Sequence, residues 1–380
     1  MSFYLPSLRR PLLSMLPRSL SLPGRSLLPR SFQTQVPTVT TTSADFAFAF
    51  DIDGVLMHDT TPTPTATEAL TLLQTSSVPF ILLTNGGGHT EEARVNHLSH
   101  HLKHSIHKSQ LVQSHTPLSP LSADKNLNTV LVVGGESDNC RKVAHGYGFK
   151  NVIVPADVLA AYPAVSPFTI DKNPPHAHPL PENVKVDAVM VFNDPRDWAL
   201  DIQLLIDVVM SDQGRLGTKR RADDNSPHVP LYFSNPDLLW ANKYHLPRLG
   251  QGGFREAFVG VFRAVRKATG SRVRLTYEII GKPHEKTYKY AEDVLWEWRR
   301  AQGVAEGVRT VYMVGDNPAS DIEGANRFKS DRGVEWVSVL VKTGVWREGD
   351  DTNGAKSVVE NVLEAVRWAV EREKKKVGQM

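Results

Sequence analysis

Two aspartates separated by one isoleucine follow an apolar run early in the sequence, in "FAFAFDIDGV" (46–55). Residues i and i+2 of an extended chain point the same way, so Asp51 and Asp53 can converge at the end of a strand. Carboxylates this close repel each other unless one is protonated or a cation lies between them. A hard divalent ion such as Mg²⁺ meets that need. The pair therefore predicts a metal site, with solvated acids at a glycine turn as the alternative.

Three further polar groups also follow apolar runs. "FILLTNGGG" (80–88) ends in a hydroxyl, an amide and three glycines, whose N–H groups can approach an anion closely. "EIIGKP" (278–283) supplies a positive charge for a phosphate oxygen or an acidic nucleophile, and "VYMVGDNPASD" (311–321) supplies two more acids. The residues are Thr84, Asn85, Lys282, Asp316 and Asp321. An ordinary turn explains each one singly, but their joint placement predicts one site.

The elements that would position these residues alternate between strand-like and helical patterns, which is typical of an α/β fold with a parallel sheet. Strand-like runs lie within 46–50, 79–85, 129–135, 151–155, 186–192, 229–234, 275–283, 310–325 and 336–345. Helical patterns cover 66–74, 90–102, 197–210, 254–269, 287–300 and roughly 355–374. The first run is apolar at every position, as expected for a central strand covered on both faces. Open α/β sheets bind ligands at the carboxyl ends of their strands.

This order predicts one sheet domain made of two chain segments, with a second α/β unit inserted between them. We expect the first core segment at 45–120, the inserted unit at 121–250 and the second core segment at 251–375.

The first 44 residues (1–44) have a different composition, with several arginines, many serines and leucines, and no acid. An acid-free leader rich in arginine and serine is typical of a mitochondrial transit peptide. We therefore expect the protein in mitochondria, in the matrix. A disordered basic tail is the alternative.

Composition excludes several classes of protein. The net charge is only +3 and the basic residues are spread along the chain, so nothing favours nucleic-acid binding. No run of about 18 apolar residues is present, so no membrane-spanning helix is expected. The single cysteine, Cys140, excludes an internal disulfide and a CxxC metal cluster. A homo-oligomer is compatible with the sequence.

The ordered motifs resemble those of the haloacid dehalogenase (HAD) superfamily of aspartate-nucleophile phosphotransferases. They are "DIDGV" (51–55), "LLTN" (82–85), "GKP" (281–283) and "GDNPASDI" (315–322). The resemblance implies a Rossmann-like parallel-sheet core with a large inserted α/β cap of the IIA subclass. "LTNGGG" with "GKPHEKTY" looks closest to the cat-eye-syndrome-critical-region branch. One departure is "MHDT" after "DIDGVL", where many relatives have a glycine.

The resemblance implies a role for each residue. Asp51 would attack phosphorus, and Asp53 would protonate the leaving alcohol and then activate water. Mg²⁺ would be held by Asp51, the backbone carbonyl of Asp53, Asp316 and Asp321, the last directly or through water. The transferring phosphoryl oxygens would be held by Thr84, the N–H of Asn85, and Lys282.

The cap would close over the site and select a small phosphorylated substrate. Its "FSNPD" segment (233–237) makes Asn235 and Asp237 the candidate substrate contacts. A Mg²⁺-dependent phosphatase is the expected function, because an acid at Asp53 suits hydrolysis of a phosphate ester. The alternatives are a mitochondrial binding or scaffold protein with weak turnover, and a phosphomutase.

Overall fold

Two parallel β-sheets organise residues 44–240 and 244–377, the part of the chain that the computed structural model describes. The strands are β1 Phe46–Phe50, β2 Met57–His58, β3 Thr61–Pro62, β4 Phe80–Leu83, β5 Leu111–Val112, β6 Thr129–Val133, β7 Asn151–Ile153, β8 Ala188–Val191, β9 Leu231–Phe233, β10 Leu239–Trp240, β11 Arg248–Leu249, β12 Glu278–Ile279, β13 Thr310–Gly315, β14 Glu335–Val341 and β15 Ser357–Val359. The α-helices are α1 Ala66–Thr75, α2 Glu91–Leu102, α3 Asn139–Tyr147, α4 Pro155–Ala161, α5 Trp198–Val209, α6 Gln251–Thr269, α7 Glu285–Ala301, α8 Glu323–Arg327 and α9 Val362–Val377.

The first sheet has six parallel strands in the order β15-β14-β13-β1-β4-β5. Strand β1 lies in its interior, with Phe50 in register with Val314 of β13 and Leu82 of β4. Because all three strands run the same way, the residues that follow them meet at one edge. The predicted α/β fold with a parallel-sheet core is therefore confirmed.

Successive side chains of β1 point to opposite faces of the sheet, and both faces are covered, which explains why its run is apolar at every position. Phe48 and Phe50 enter a cluster with side chains of α1, α2 and α9, while Ala47 and Ala49 enter another with side chains of α7. All four side chains are fully buried. The strand is covered on both faces, as its composition predicts.

The second sheet has five parallel strands in the order β12-β9-β8-β6-β7. Helices α4, α5 and α6 pack on one face and α3 on the other. Both α6 and β12 follow residue 250, where we expected the inserted unit to end. We therefore propose that the cap continues to about residue 280, where Gly281 and Lys282 return the chain to the first sheet.

The terminal helix begins later than the pattern predicts. Residues 357–359 form the edge strand β15, and α9 starts at Val362. The side chain of Asn361 accepts hydrogen bonds from the N–H groups of Leu363 and Glu364, at 3.1 and 3.2 Å. This N-cap sets the start of the helix.

The predicted leader, 1–44, lies outside the described residues except for Ala44. Within the described ranges, none of the helices is both long and apolar enough to cross a membrane.

Candidate active site

The loops that follow β1, β4, β13 and β12 bring the predicted residues together. Asp51 follows β1, and its N–H donates to the carbonyl of Val314, 2.9 Å away, at the end of β13. Its side chain is mostly buried. Thr84 follows β4 and Asp316 follows β13, and both are buried. The predicted convergence at one sheet edge is therefore found in the structure.

Lys282 lies at the centre of this group and is almost fully buried. Its Nζ is 2.8 Å from Asp51 Oδ1 and 2.7 Å from Asp321 Oδ1, and it donates to the carbonyl of Leu83 at 2.8 Å. Burial opposes the charge on Lys282, but the carboxylates of Asp321 and Asp51 outweigh it and raise its pKa above the ordinary value. Lys282 is therefore a fixed cation that orients Asp51.

Three buried carboxylates form a cluster around this lysine. One oxygen from each of Asp51, Asp316 and Asp321 lies within 4.8 Å of the others. The pKa of Asp316 is raised by burial and by the charges of Asp51 and Asp321. The pKa of Asp321 is raised to about 6, mainly by burial, although Lys282 acts in the opposite direction. Three acids with one cation form a site that favours additional positive charge.

The surroundings of the cluster are suited to a hard divalent ion. Apart from its ion pair with Lys282, Asp321 Oδ1 has no hydrogen-bond donor among the residues described. A Cβ atom at Gly54 would lie 2.5 Å from Asp316 Oδ2, and one at Gly344 would lie 1.8 Å from it. Glycine at both positions is therefore required for this packing. Oxygen ligands of this kind are those that Mg²⁺ prefers.

Asp53 lies apart from the three clustered carboxylates. Strand β1 ends at Phe50, so the alternation that would place both acids side by side stops before them. The Asp53 side chain is 59% exposed, and its Oδ2 is 3.9 Å from Arg94 of α2. Its pKa is raised, first by partial removal from bulk water and then by the charge of Asp51, while Arg94 and Lys282 act in the opposite direction. An accessible carboxyl group with a raised pKa can exchange protons with a bound molecule.

The glycine-rich loop packs tightly beside these acids. Thr84 Oγ1 accepts a hydrogen bond from the N–H of Gly86 at 3.0 Å. A Cβ atom at Gly87 would lie 2.7 Å from both His115 Cδ2 and Ser114 Oγ. Gly88 has a φ of 86° and donates its N–H to His115 Nε2 at 3.0 Å. Residues with side chains would disturb this loop, which explains the run of glycines.

Asn85 joins the loop to Lys282 and to the two expected cap residues, Asn235 and Asp237. Its Oδ1 accepts from the N–H of Lys282 at 2.7 Å, and its Nδ2 donates to the Lys282 carbonyl at 2.9 Å. Nδ2 also lies 3.2 Å from each carboxylate oxygen of Asp237, while Asn235 Nδ2 donates to the Asn85 carbonyl at 3.1 Å. The expected cap residues therefore contact the glycine-rich loop. Burial raises the pKa of Asp237 to about 6, although Asn85 and Lys282 act to lower it.

A buried network of hydrogen bonds supports the glycine-rich loop. His115 Nδ1 is 2.6 Å from the hydroxyl of Tyr147 on α3, which donates to Glu91 Oε1 at 2.5 Å. Burial lowers the pKa of His115 to about 4. Since Nε2 accepts from Gly88, neutral His115 carries its proton on Nδ1. Sequence reasoning missed this network and Arg94, because both depend on long-range packing.

Two protein-family sequence models match the segments of the chain that carry these motifs. A sequence family described as haloacid dehalogenase-like hydrolase matches residues 48–150, and a HAD-hydrolase-like family matches residues 279–365. Together the two matches include Asp51, Thr84, Lys282 and Asp316, each in the segment where the motif predicts it.

Two curated relatives match nearly the whole chain. A mitochondrial hydrolase of Saccharomyces cerevisiae is 40% identical over 87% of this chain and 97% of its own length. A cardiolipin synthase (CMP-forming)/mitochondrial hydrolase fusion protein of Schizosaccharomyces pombe is 41% identical over 92% of this chain and 57% of its own length.

A solved structure shares the fold. The p-nitrophenyl phosphatase from Archaeoglobus fulgidus is 16% identical, with a TM-score of 0.54 over 86% of this chain and 99% of that chain. The sequence matches confirm the predicted family: the chain belongs to the haloacid dehalogenase-like hydrolases.

Proposed function

We propose that this protein is a Mg²⁺-dependent phosphatase that hydrolyses a small phosphorylated metabolite through an aspartyl-phosphate on Asp51. The observation that carries the proposal is the position of Lys282, which contacts Asp51 and Asp321 at 2.8 and 2.7 Å, while Asp53, two residues after Asp51, keeps an accessible carboxyl group. A nucleophile, a fixed cation and an accessible acid thus lie at one sheet edge. The fold shared with a p-nitrophenyl phosphatase supports the same chemistry.

The residues that would hold Mg²⁺ are Asp51, Asp316, Asp321 and the backbone carbonyl of Asp53. The ion would neutralise charge on the phosphoryl oxygens and on the acids around them. The buried oxygen cluster fits a hard cation of this kind.

In the first step, a carboxylate oxygen of Asp51 attacks phosphorus, and the bond from phosphorus to the leaving oxygen breaks. Lys282 holds Asp51 Oδ1, which leaves Oδ2 for the attack. Thr84 and the N–H of Asn85 hold the phosphoryl oxygens. Asp53 donates its proton to the leaving alcohol, which a raised pKa allows it to do.

In the second step, water attacks the phosphorus of the aspartyl-phosphate. Asp53, now ionised, takes a proton from that water, and the bond between phosphorus and Asp51 breaks. Phosphate leaves, and the Asp51 carboxylate is restored with its contact to Lys282. Arg94, 3.9 Å from Asp53, stabilises the ionised form that this step requires.

The cap would take part through Asn235 and Asp237. Both side chains bond to Asn85, so a change in cap position would be transmitted to the phosphate-binding loop. Closure of such a cap excludes water from the phosphoryl group before transfer. We propose these residues as the link between substrate selection and catalysis.

We also propose that the protein acts in mitochondria, in the matrix. The arginine-rich, acid-free leader supports this location. Both curated relatives carry the word mitochondrial in their names.

The test is a phosphate-release assay on the full chain, using 4-nitrophenyl phosphate and a panel of phosphorylated metabolites. We expect release that requires Mg²⁺, is lost with a chelator and is abolished in Asp51→Asn. Asp331→Asn, a substitution at a side chain that is 79% exposed, serves as the matched control and should retain full activity.

Three results would contradict this function. Undiminished Mg²⁺-dependent release by folded Asp51→Asn would exclude Asp51 as the nucleophile. No release from any ester by the wild type would favour the binding or scaffold alternative, and an isomerised sugar phosphate in place of free phosphate would indicate a mutase.

A further inference from the structure

The guanidinium group of Arg94, on α2, is an open set of hydrogen-bond donors at the edge of the active site. It holds five N–H donors in a planar fork, and none of them donates a hydrogen bond to a residue within 44–240 or 244–377. The ion pair with Asp53 is long, with Nη2 3.9 Å from Oδ2, which exceeds hydrogen-bond distance. The Arg94 side chain is 22% exposed, so the fork is partly enclosed but accessible to a bound molecule.

The Arg94 fork lies beside the position that a leaving alcohol would occupy. A Cβ atom at Gly86 would lie 3.3 Å from Thr84 Oγ1 and 3.8 Å from Asp53 Oδ2, so the Asp53 carboxyl group lies next to the start of the glycine-rich loop. A general acid lies about 2.6–3.2 Å from the oxygen that it protonates. With Asp53 in that role, the Arg94 guanidinium lies within about 7 Å of the ester oxygen.

The charges around the Arg94 fork favour an anion. His97 lies one turn further along α2, and its pKa is lowered by burial first and then by the charges of His101 and Arg94. A neutral His97 leaves Arg94 as the lasting cation on this face of the helix. Asp59 also acts on the pKa of Asp53, which burial raises first, but its effect is smaller than that of Arg94.

We propose that Arg94 binds an anionic oxygen group on the alcohol part of the substrate, so that the enzyme acts on phosphate monoesters that also carry a carboxylate or a second phosphate. The inference rests on the proposed phosphatase function and narrows its substrate class. A guanidinium fork binds either group through two parallel N–H···O bonds. An alcohol of about three carbons, with the acid at its far end, is long enough to join Asp53 to Arg94.

Two pairs of esters test the proposal, and the members of each pair differ in the second anionic group. The first pair is 3-phosphoglycerate and glycerol 3-phosphate, and the second is propane-1,3-diol bisphosphate and 3-hydroxypropyl phosphate. The value of kcat/KM is measured with Mg²⁺ for the full-length wild type, Arg94→Gln and Arg94→Lys. Arg309→Gln is the matched control, because Arg309 is 77% exposed and precedes β13, at the opposite end of the strand from the site.

We expect the wild type to prefer the acidic member of at least one pair, and that pair identifies the group as a carboxylate or a phosphate. In Arg94→Gln the preference should fall about ten- to a hundredfold, because a charge-assisted pair of hydrogen bonds is lost. Arg94→Lys should retain part of the preference, and Arg309→Gln should retain all of it. The ratio within one protein does not depend on how much of that protein is folded.

Two kinetic results would overturn the proposal. The first is a wild type with no preference in either pair. The second is a fall in kcat/KM by the same factor for both members of each pair in Arg94→Gln, which would show that Arg94 acts only through Asp53.

Calorimetry separates this inference from the proposed function. The probes are the phosphonate analogues of the four esters, with methylene in place of each ester oxygen, so that binding is measured without hydrolysis. The wild type should bind the acidic analogue of the responding pair about tenfold or more tightly than its partner, and Arg94→Gln should bind both equally. This pattern without phosphate release from any ester would contradict the phosphatase and support the Arg94 site. Phosphate release with equal binding within both pairs would do the reverse.

Discussion

The ammonium group of Lys282 lies 2.8 Å from Asp51 Oδ1, although the two residues come from opposite ends of the core sequence. The strands of the second sheet lie between them in the sequence, and the two segments that form the first sheet must come together before the contact can form. Lys282 is buried, so its charge acts on Asp51 with little screening by water. This pair links assembly of the fold to assembly of the site.

Replacing Lys282 with Met should damage both activity and stability. The variant leaves three buried carboxylates without their cation, and loss of one partner from a buried ion pair costs about 3–5 kcal/mol. We expect this loss in the free energy of unfolding measured by urea titration without metal, and a smaller loss when Mg²⁺ is present. Turnover should fall by about a hundredfold or more.

Lys289→Met is the control for this change, because Lys289 lies on α7, the helix that follows Lys282, with a side chain that is 45% exposed. This substitution should change neither the free energy of unfolding nor the turnover. Wild-type stability and turnover in Lys282→Met would show that the lysine does not balance the acidic cluster.

The glycine loop should not tolerate a methyl group. In Gly87→Ala the new Cβ would lie 2.7 Å from His115 and Ser114, so the loop must shift and Thr84 and Asn85 with it. We expect a loss of about 1–3 kcal/mol in unfolding free energy and a lower kcat for 4-nitrophenyl phosphate.

Gly260→Ala provides the contrast. This position lies inside α6, and nothing stands within 4 Å of the added Cβ. The substitution should stabilise the protein by about 0.5–1 kcal/mol and leave turnover unchanged. Equal effects of the two substitutions would contradict the packing described for the loop.

The buried His115 should make stability depend on pH. Its folded pKa of about 4 lies below the ordinary value of 6.5, because burial disfavours the charged ring. The folded state therefore binds fewer protons, and the stabilising contribution is complete above pH 6.5 and is lost as pH falls to about 4. The loss should be on the order of 3 kcal/mol.

His115→Gln isolates this effect, because glutamine can accept from Gly88 but does not titrate. Urea titrations of the two proteins between pH 4 and 7 would measure their free energies of unfolding. The wild type should lose stability relative to the variant as pH falls. Glu91 raises and His89 lowers the pKa of His115. Parallel pH profiles would show that His115 is not held neutral by the fold.

The sequence predicts the location of the site better than its internal contacts. Apolar runs followed by acid, hydroxyl or lysine locate Asp51, Thr84 and Asp316 at one edge, because parallel strands end together. The position of Asp53 could not be predicted in this way. Alternation applies only while the strand continues, and β1 ends at Phe50.

Contacts between residues that are far apart in the sequence also could not be predicted from local sequence patterns. The helical pattern of 254–269 shows that one face is buried, but not that this face covers the second sheet. The bonds of Asn85 to Asp237 and of Gly88 to His115 likewise join residues that only the folded chain brings together. Periodicity reports burial, whereas these contacts depend on how two sheets pack.

Trapping the covalent intermediate tests the proposed nucleophile most directly. In the Asp53→Asn variant, Asp51 can still attack the phosphorus of 4-nitrophenyl phosphate, because 4-nitrophenolate leaves without needing a proton. The variant lacks the group that activates water, so the phosphoryl group should accumulate on the enzyme. Acid-quenched protein, after reaction with 4-nitrophenyl phosphate and Mg²⁺, would be digested and analysed by mass spectrometry. We predict one phosphoryl group on Asp51 in the peptide that contains it, and none in Asp51→Asn. Phosphate release by the wild type, with Asp51 unmodified in the trapped variant and the phosphoryl group on another residue or on none, would contradict the mechanism.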